Sequence, residues 1–333
     1  MDVSRVKALE HIEDFARGFS VPECAHDAGL AKDVTVLIKT FERPMCIAWG
    51  VTSLKKYYPS LTVLVCDDSR DPLFGDRSEP LPGVHWLCKP FEDGHMVGAG
   101  RNFLVDRVKT DFFFLTDDDV QFTSKSDLKS MLDFLQEYDF DMVGGTQSPW
   151  DYGTATFAVD NGELIEKHYD YRGIVAPGFV ACDRLSVAFL ARHGTVSRVR
   201  WEENVGRNEH ADFFYRASRQ GLKIAQMGRF CMTHKRRCEV CESLSDWLRG
   251  LWSGHASKQY RISMYGGGES EEEALEAHRK LYQKHILEKN GITGIRDDKS
   301  LFRLIKLFFV IGHPVFNLKP GIPAVQRNVS SRA

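Results

Sequence analysis

The chain predicts an α/β fold: a mostly parallel sheet flanked by helices, then a smaller antiparallel region and a helical carboxyl-terminal extension. Three observations carry this. Between residues 33 and 146, short apolar runs alternate with segments of helical periodicity, the order in which βαβ units build a parallel sheet. Phe112-Phe-Phe-Leu115 has no polar alternation, which marks a strand covered on both faces. That strand ends abruptly in Asp117-Asp118-Asp119.

Residues 1–32 read as a helical lead-in, with Val6, Leu9, Ile12, Phe15 and Ala16 at helical spacing. Val34 to Lys39 is a first strand, Met45 to Tyr58 a helix, and Leu61 to Cys66 a second strand ending in Asp67-Asp68-Ser69. Val84 to Cys88 is a third strand, Met96 to Lys109 a helix, and Phe112 to Thr116 the strand that delivers the carboxylates. Leu128 to Tyr138 reads as a helix and Asp141 to Gly145 as a strand. Beyond it the pattern changes. The turn signal Asp160-Asn-Gly162 predicts an antiparallel hairpin, followed by a strand from Leu185 to Ala191, a helix from Ala211 to Arg219 and a strand from Leu222 to Gly228. Ser270 and Glu273 have capping-box spacing and open a charged helix over Glu271 to Lys289. The segment Leu301 to Ile311 is apolar and studded with bases; it fits a helix docked on the core or one lying on a membrane surface. The expected organisation is a lead-in (1–32), a main domain over 33–237 with halves 33–146 and 147–237, and a loop with a helical extension over 238–333.

Composition sets the class. With 333 residues, 43% hydrophobic and 27% charged, the chain can bury a large core. Its 44 Lys and Arg against 46 Asp and Glu give a formal charge of −2, a balance that does not suggest a nucleic-acid partner. No apolar leader stands at the amino terminus, and no apolar run approaches the roughly 20 residues that span a bilayer. The expected location is cytoplasmic, with membrane contact confined to the basic apolar tail. Eight cysteines lie mostly singly in apolar segments, as reduced core thiols would. Cys231, His234, Cys238 and Cys241 have a spacing that can supply four zinc ligands, or simply form a strand end and a basic loop.

Adjacent carboxylates repel, and desolvating them is costly. A fold that sets three at the end of a buried strand is expected to neutralise them with a divalent cation, which in turn holds a phosphorylated ligand. In open α/β sheets ligands bind outside the carboxyl ends of strands, where this triplet falls. Lys39-Thr40-Phe41-Glu42-Arg43 after the first strand and Asp67-Asp68 after the second put polar groups at neighbouring strand ends, suited to a base and ribose. Gly98-Ala-Gly100-Arg101-Asn102 opens the helix before the acidic strand, where small residues allow close approach and Arg101 offsets negative charge.

These motifs, in this order, resemble the nucleotide-binding half of GT-A (Rossmann-like) glycosyltransferases, in particular family 2 and the family 12 β-1,4-N-acetylgalactosaminyltransferases. The likeness extends through Val180-Ala-Cys-Asp183, Phe189-Leu-Ala-Arg192 and His210-Ala-Asp212-Phe-Phe214 to the strand ending in His234, covering about residues 33–237. It implies an inverting hexosyltransferase acting on a UDP-sugar, with UDP-N-acetylgalactosamine suggested, and a glycan or glycolipid acceptor. Asp117 and Asp119 match the metal signature, with Asp118 facing the donor, and His234 matches a third ligand to Mn2+ or Mg2+. Thr40, Arg43 and Asp68 match uridine-holding positions, Arg101 one beside the donor phosphates, and Asp183 one near sugar or acceptor. For the catalytic base, the segment Glu209-His210-Ala211-Asp212 offers three groups. His210 stands where an Asp usually does, and Asp212 ranks first because an acid occupies its place in family 12. The loop from Lys235 to Tyr260, with Trp247 and Trp252, is expected to close over bound donor. A sugar nucleotidyltransferase would want glycines after the first strand, which Lys39-Thr40-Phe41 lacks. A non-catalytic carbohydrate-binding protein would not need the acidic triplet.

Overall fold

The structure is a computed structural model. It describes residues 3–234 except 24–26, 76–79, 92–95, 148–152 and 204–208, together with 294–299 and positions 303, 306, 307 and 310. The expected lid loop and the expected helix over Glu271 to Lys289 lie outside the described residues.

Helix α1 (Val3–Gly18) and the turn α2 (Ala28–Ala31) precede β1 (Val34–Thr40), α3 (Pro44–Tyr57), β2 (Thr62–Asp67), β3 (Val84–Cys88), α4 (Val97–Val105) and β4 (Phe112–Asp117). There follow β5 (Val120–Gln121), α5 (Leu128–Glu137), β6 (Met142–Thr146), β7 (Ala155–Asp160), β8 (Glu163–His168), β9 (Gly173–Ala176), β10 (Phe179–Cys182) and β11 (Phe189–Arg192). The chain continues through α6 (His193–Val196), α7 (Glu209–Arg219), β12 (Ile224–Cys231), β13 (Thr233–His234) and β14 (Gly294–Asp298). Local chemistry sets several boundaries. Pro44 opens α3, where a missing N–H costs nothing. Asp127 caps α5 by accepting from Ser130 N at 3.0 Å. Asn161 and Gly162, with φ of 48° and 83°, form the tight turn of the β7–β8 hairpin.

The main sheet has nine strands in the order β3-β2-β1-β4-β11-β6-β12-β10-β9. All but β10 and β11 point the same way, so the sheet is mainly parallel, as expected for the GT-A arrangement. In β4, Phe112 and Phe114 join one core layer with Val36, Ile47 and Val51, while Phe113 and Leu115 join the other with Leu37, Phe213 and Phe214. Phe113 and Phe114 are both 0% exposed, which is why the run shows no polar alternation.

Several expectations change. The strand expected from Leu185 begins instead at Phe189; before it, Ser186 Oγ donates to Gly145 O. The carboxyl-terminal extension is not wholly helical: β14 runs parallel to β8 in a small sheet with β7. Its charged residues Arg296, Asp297 and Asp298 conceal a strand from propensity. Leu307 is fully buried against Val180, beside Tyr169, Tyr171 and Ile174, so this part of the tail docks on the domain. No helix among the described residues is long and apolar enough to cross a membrane. Cys66, Cys182 and Cys231 are buried thiols, but Cys46 is disulfide-bonded. Pairing depends on separation in space, which a scattered sequence pattern does not reveal.

Candidate active site

Parallel pairing sets the ends of β1, β2 and β4 side by side, with Lys39 opposite both Cys66 and Asp117, and Thr40 opposite Asp67. The acidic turn after β4 rests on α3. A Cβ at Gly50 would lie 3.1 Å from Asp118 O, and Ser53 Oγ accepts from Phe122 N at 3.0 Å. Glycine at position 50 therefore permits the backbone approach that seats the triplet.

Asp118 and Asp119 are neutralised from within the chain. Thr40 Oγ1 donates to Asp118 Oδ2 at 2.7 Å, and Arg43 reaches across both carboxylates, with Nε on Asp118 Oδ2 at 3.2 Å and Nη1 on Asp119 Oδ2 at 3.1 Å. Burial pushes Asp118 up despite the opposing pull of Arg43. For Asp119 burial pushes the same way, but Arg43 and His234 outweigh it and hold the carboxyl below its ordinary value. His234 arrives by a device two residues long: β13 pairs with β5, His234 opposite Val120, which brings its Nε2 to 3.2 Å from Asp119 Oδ2.

The loops after β1 and β2 are tied together. Glu42, in the left-handed region at φ 53°, donates its N–H to Ser69 Oγ at 2.7 Å, and its carboxylate accepts from Arg70 N at 3.1 Å. Asp67 accepts from Ser69 N and Leu73 N and so shapes its own loop. Asp68 is fully buried with Lys39 Nζ 2.8 Å from its Oδ1. Burial raises its pKa to about 6, against the pull of Lys39. Phe41 stacks on Phe91 at 6.0 Å, and the Arg70 guanidinium lies over Phe91 at 4.5 Å.

Across the triplet, Arg101 is 3% exposed and held between Glu209 Oε1 at 2.7 Å and Asp117 Oδ1 at 3.0 Å. The glycines of α4 allow this depth: a Cβ at Gly98 would meet Glu202 O at 2.5 Å, and one at Gly100 would meet Lys39 Cγ at 2.6 Å. Asp212 does not join the group. It binds Arg216 one helical turn on, at 2.9 and 2.6 Å, and Arg216 also donates to Arg200 O. His210 is different again: both ring nitrogens are buried without a hydrogen-bond partner among the described residues. Burial first, then the charges of Arg101 and Arg184, hold its pKa well below the usual imidazole value. Asp183 accepts from Phe157 N at 2.7 Å and pairs with Arg172, bracing the β7 hairpin.

The structure thus joins Thr40, Arg43, Asp118, Asp119 and His234 in one cluster and Asp117, Arg101 and Glu209 in a second. Among the described residues, no three His, Cys, Asp or Glu side chains converge as a full ligand set. The donors still suit a hard divalent cation: Asp119 Oδ1 is buried and unbonded beside the imidazole of His234. Of the four zinc candidates, His234 lies beside Asp119 and Cys231 is buried, while Cys238 and Cys241 lie outside the described residues. The motif reading passed over Phe91 and Arg184, and it set Lys39 at a strand end without its partner Asp68. Lys39 carried a signal, being a lone charge in an apolar strand.

A family model described as Glycosyl transferase family 2 matches residues 35–199. The chain is 27% identical over 270 residues to Beta-1,4 N-acetylgalactosaminyltransferase 1 of Homo sapiens, covering 77% of this chain and 47% of that protein. It is 30% identical over 187 residues to Beta-1,4 N-acetylgalactosaminyltransferase 2 of Mus musculus, covering 54% of this chain and 35% of that one. The chain therefore spans half or less of the length of these curated relatives. Among solved structures, S. aureus TarS 1-349 overlaps at a TM-score of 0.43 and 13% identity, over 76% of this chain and 73% of that one, a likeness that carries no argument.

Proposed function

Taking residues 35–199 as a family 2 glycosyl transferase domain, we propose that the chain moves a sugar from a UDP-sugar to a hydroxyl of a glycan or glycolipid, with inversion and with a divalent cation. The observation that carries this is Asp119 beside His234 at the mouth of a parallel sheet, with the nucleoside-side group Asp68 on a neighbouring strand end. Similarity to two N-acetylgalactosaminyltransferases supports UDP-N-acetylgalactosamine as donor.

In this reading Asp119 and His234 would hold Mn2+ or Mg2+, with Asp117 of the same acidic turn as a further candidate ligand. When bound, the cation supplies charge stabilisation to the departing diphosphate. Thr40 and Arg43 fix Asp118 toward the ribose, Asp68 accepts from the nucleoside, and Phe41 and Phe91 flank the base. Arg101, pinned by two carboxylates, presents positive charge where negative charge grows on the leaving group. UDP release from UDP-N-acetylgalactosamine and other UDP-sugars, measured with glycoside acceptors with and without Mn2+, tests the reading. No UDP release under any of these conditions rejects it.

A further inference from the structure

We infer that His210, rather than Asp212 or Glu209, takes the proton from the acceptor hydroxyl; this rests on the glycosyl-transfer reading above. The three groups occupy one helix start but differ in what already holds them. The Asp212 carboxylate is 3% exposed and committed to Arg216, which is anchored in turn on the backbone of Val199 and Arg200. Glu209 is committed to Arg101 at 2.7 Å, and drawing it away would strand a buried guanidinium. His210 alone has both polar atoms buried and unsatisfied. Leaving a buried hydrogen bond unmade is costly, and a ligand hydroxyl would recover it.

Its surroundings suit a base. Among the described residues, the charges that act on the ring after burial are Arg101 of α4 and Arg184, between β10 and β11; Arg184 is itself held by Glu166 of β8. Glu209, the adjacent residue, is tied to Arg101. Two nearby guanidiniums and burial keep the imidazole neutral, the form that accepts a proton. Repulsion also weakens it as a base, and donor binding relieves that: diphosphate charge beside Arg101 offsets part of the repulsion. In the step, the acceptor oxygen bonds to the anomeric carbon as the bond from that carbon to the diphosphate oxygen breaks. The electron pair leaves with UDP, the hydroxyl proton passes to a ring nitrogen of His210, and the imidazolium then releases it to water.

The test compares H210A, H210Q and D212N with the wild type, using UDP-N-acetylgalactosamine, Mn2+ and a panel of nitrophenyl glycosides. Expected is a loss of about 100-fold or more in kcat for both His210 variants, with UDP binding by calorimetry within about threefold of wild type. Added imidazole should restore part of the H210A rate, and D212N should keep transfer within about tenfold. The thermal melt of each variant reports its fold. An active wild type with H210A or H210Q near its rate overturns the inference alone, as does an H210A loss that imidazole leaves untouched. A wild type that releases UDP from no donor overturns the glycosyl-transfer reading and this inference together.

Discussion

The two sides of the acidic strand differ in how completely their charges are satisfied. On the side of β1 and β2, Thr40, Arg43, Asp118, Asp119 and His234 form one continuous ionic group, and Lys39 stands against Asp68. On the opposite side, Arg101 pairs with Glu209 and Arg216 with Asp212, and His210 is left with two nitrogens that have no partner among the described residues. A charge-saturated region is prepared to exchange one cation for another. A region with unsatisfied neutral atoms is prepared for a neutral, hydroxyl-bearing partner.

Changes on each side separate these roles. Asp119→Ala should have the largest effect, cutting transfer by more than about 100-fold and abolishing the Mn2+ dependence of UDP binding, both readable by coupled assay and calorimetry. Binding of UDP that still responds to Mn2+ would move the cation elsewhere. Arg101→Gln leaves Glu209 as an uncompensated buried charge and should cost about 3–5 kcal/mol in urea unfolding; adding Glu209→Gln should return part of it. Asp212→Asn should cost about 2 kcal/mol by the same measurement, because it weakens the brace to Arg216, with transfer largely kept. The smallest effect concerns pH. Asp68 has its pKa raised to about 6, so it protonates as pH falls through that value and loses its power to accept from a nucleoside. UDP affinity should therefore fall between about pH 7 and pH 5, by no more than about tenfold per unit, and Asp68→Asn should flatten the profile.

Much of this was legible in the chain. A run of four apolar residues ending in three carboxylates announces a buried strand and its charged mouth, and the βαβ spacing places that mouth beside Thr40 and Asp68. The approach of His234 was not readable from physics, since it depends on a pairing between strands only two residues long. The Arg101–Glu209 bond joins residues 108 positions apart and has no local signature. Asp212 is a different lesson. Its partner Arg216 lies four residues on, the spacing at which helical side chains meet, so this pair was legible in the chain.

One feature of the sheet bears on how the chain can be divided. Strand β11, made from residues 189–192, lies between β4 and β6 and pairs with both. A fragment ending at residue 146 would lose that strand and bare the edge of β4, leaving the backbone of Phe113 and Phe114 open to pairing with a neighbouring molecule. The portion before residue 147 thus has no complete sheet until the chain has returned from the opposite portion. Fusion or swapping at residue 146 would cut through a shared strand layer, and because β12 in turn lies between β6 and β10, a workable boundary lies beyond residue 231.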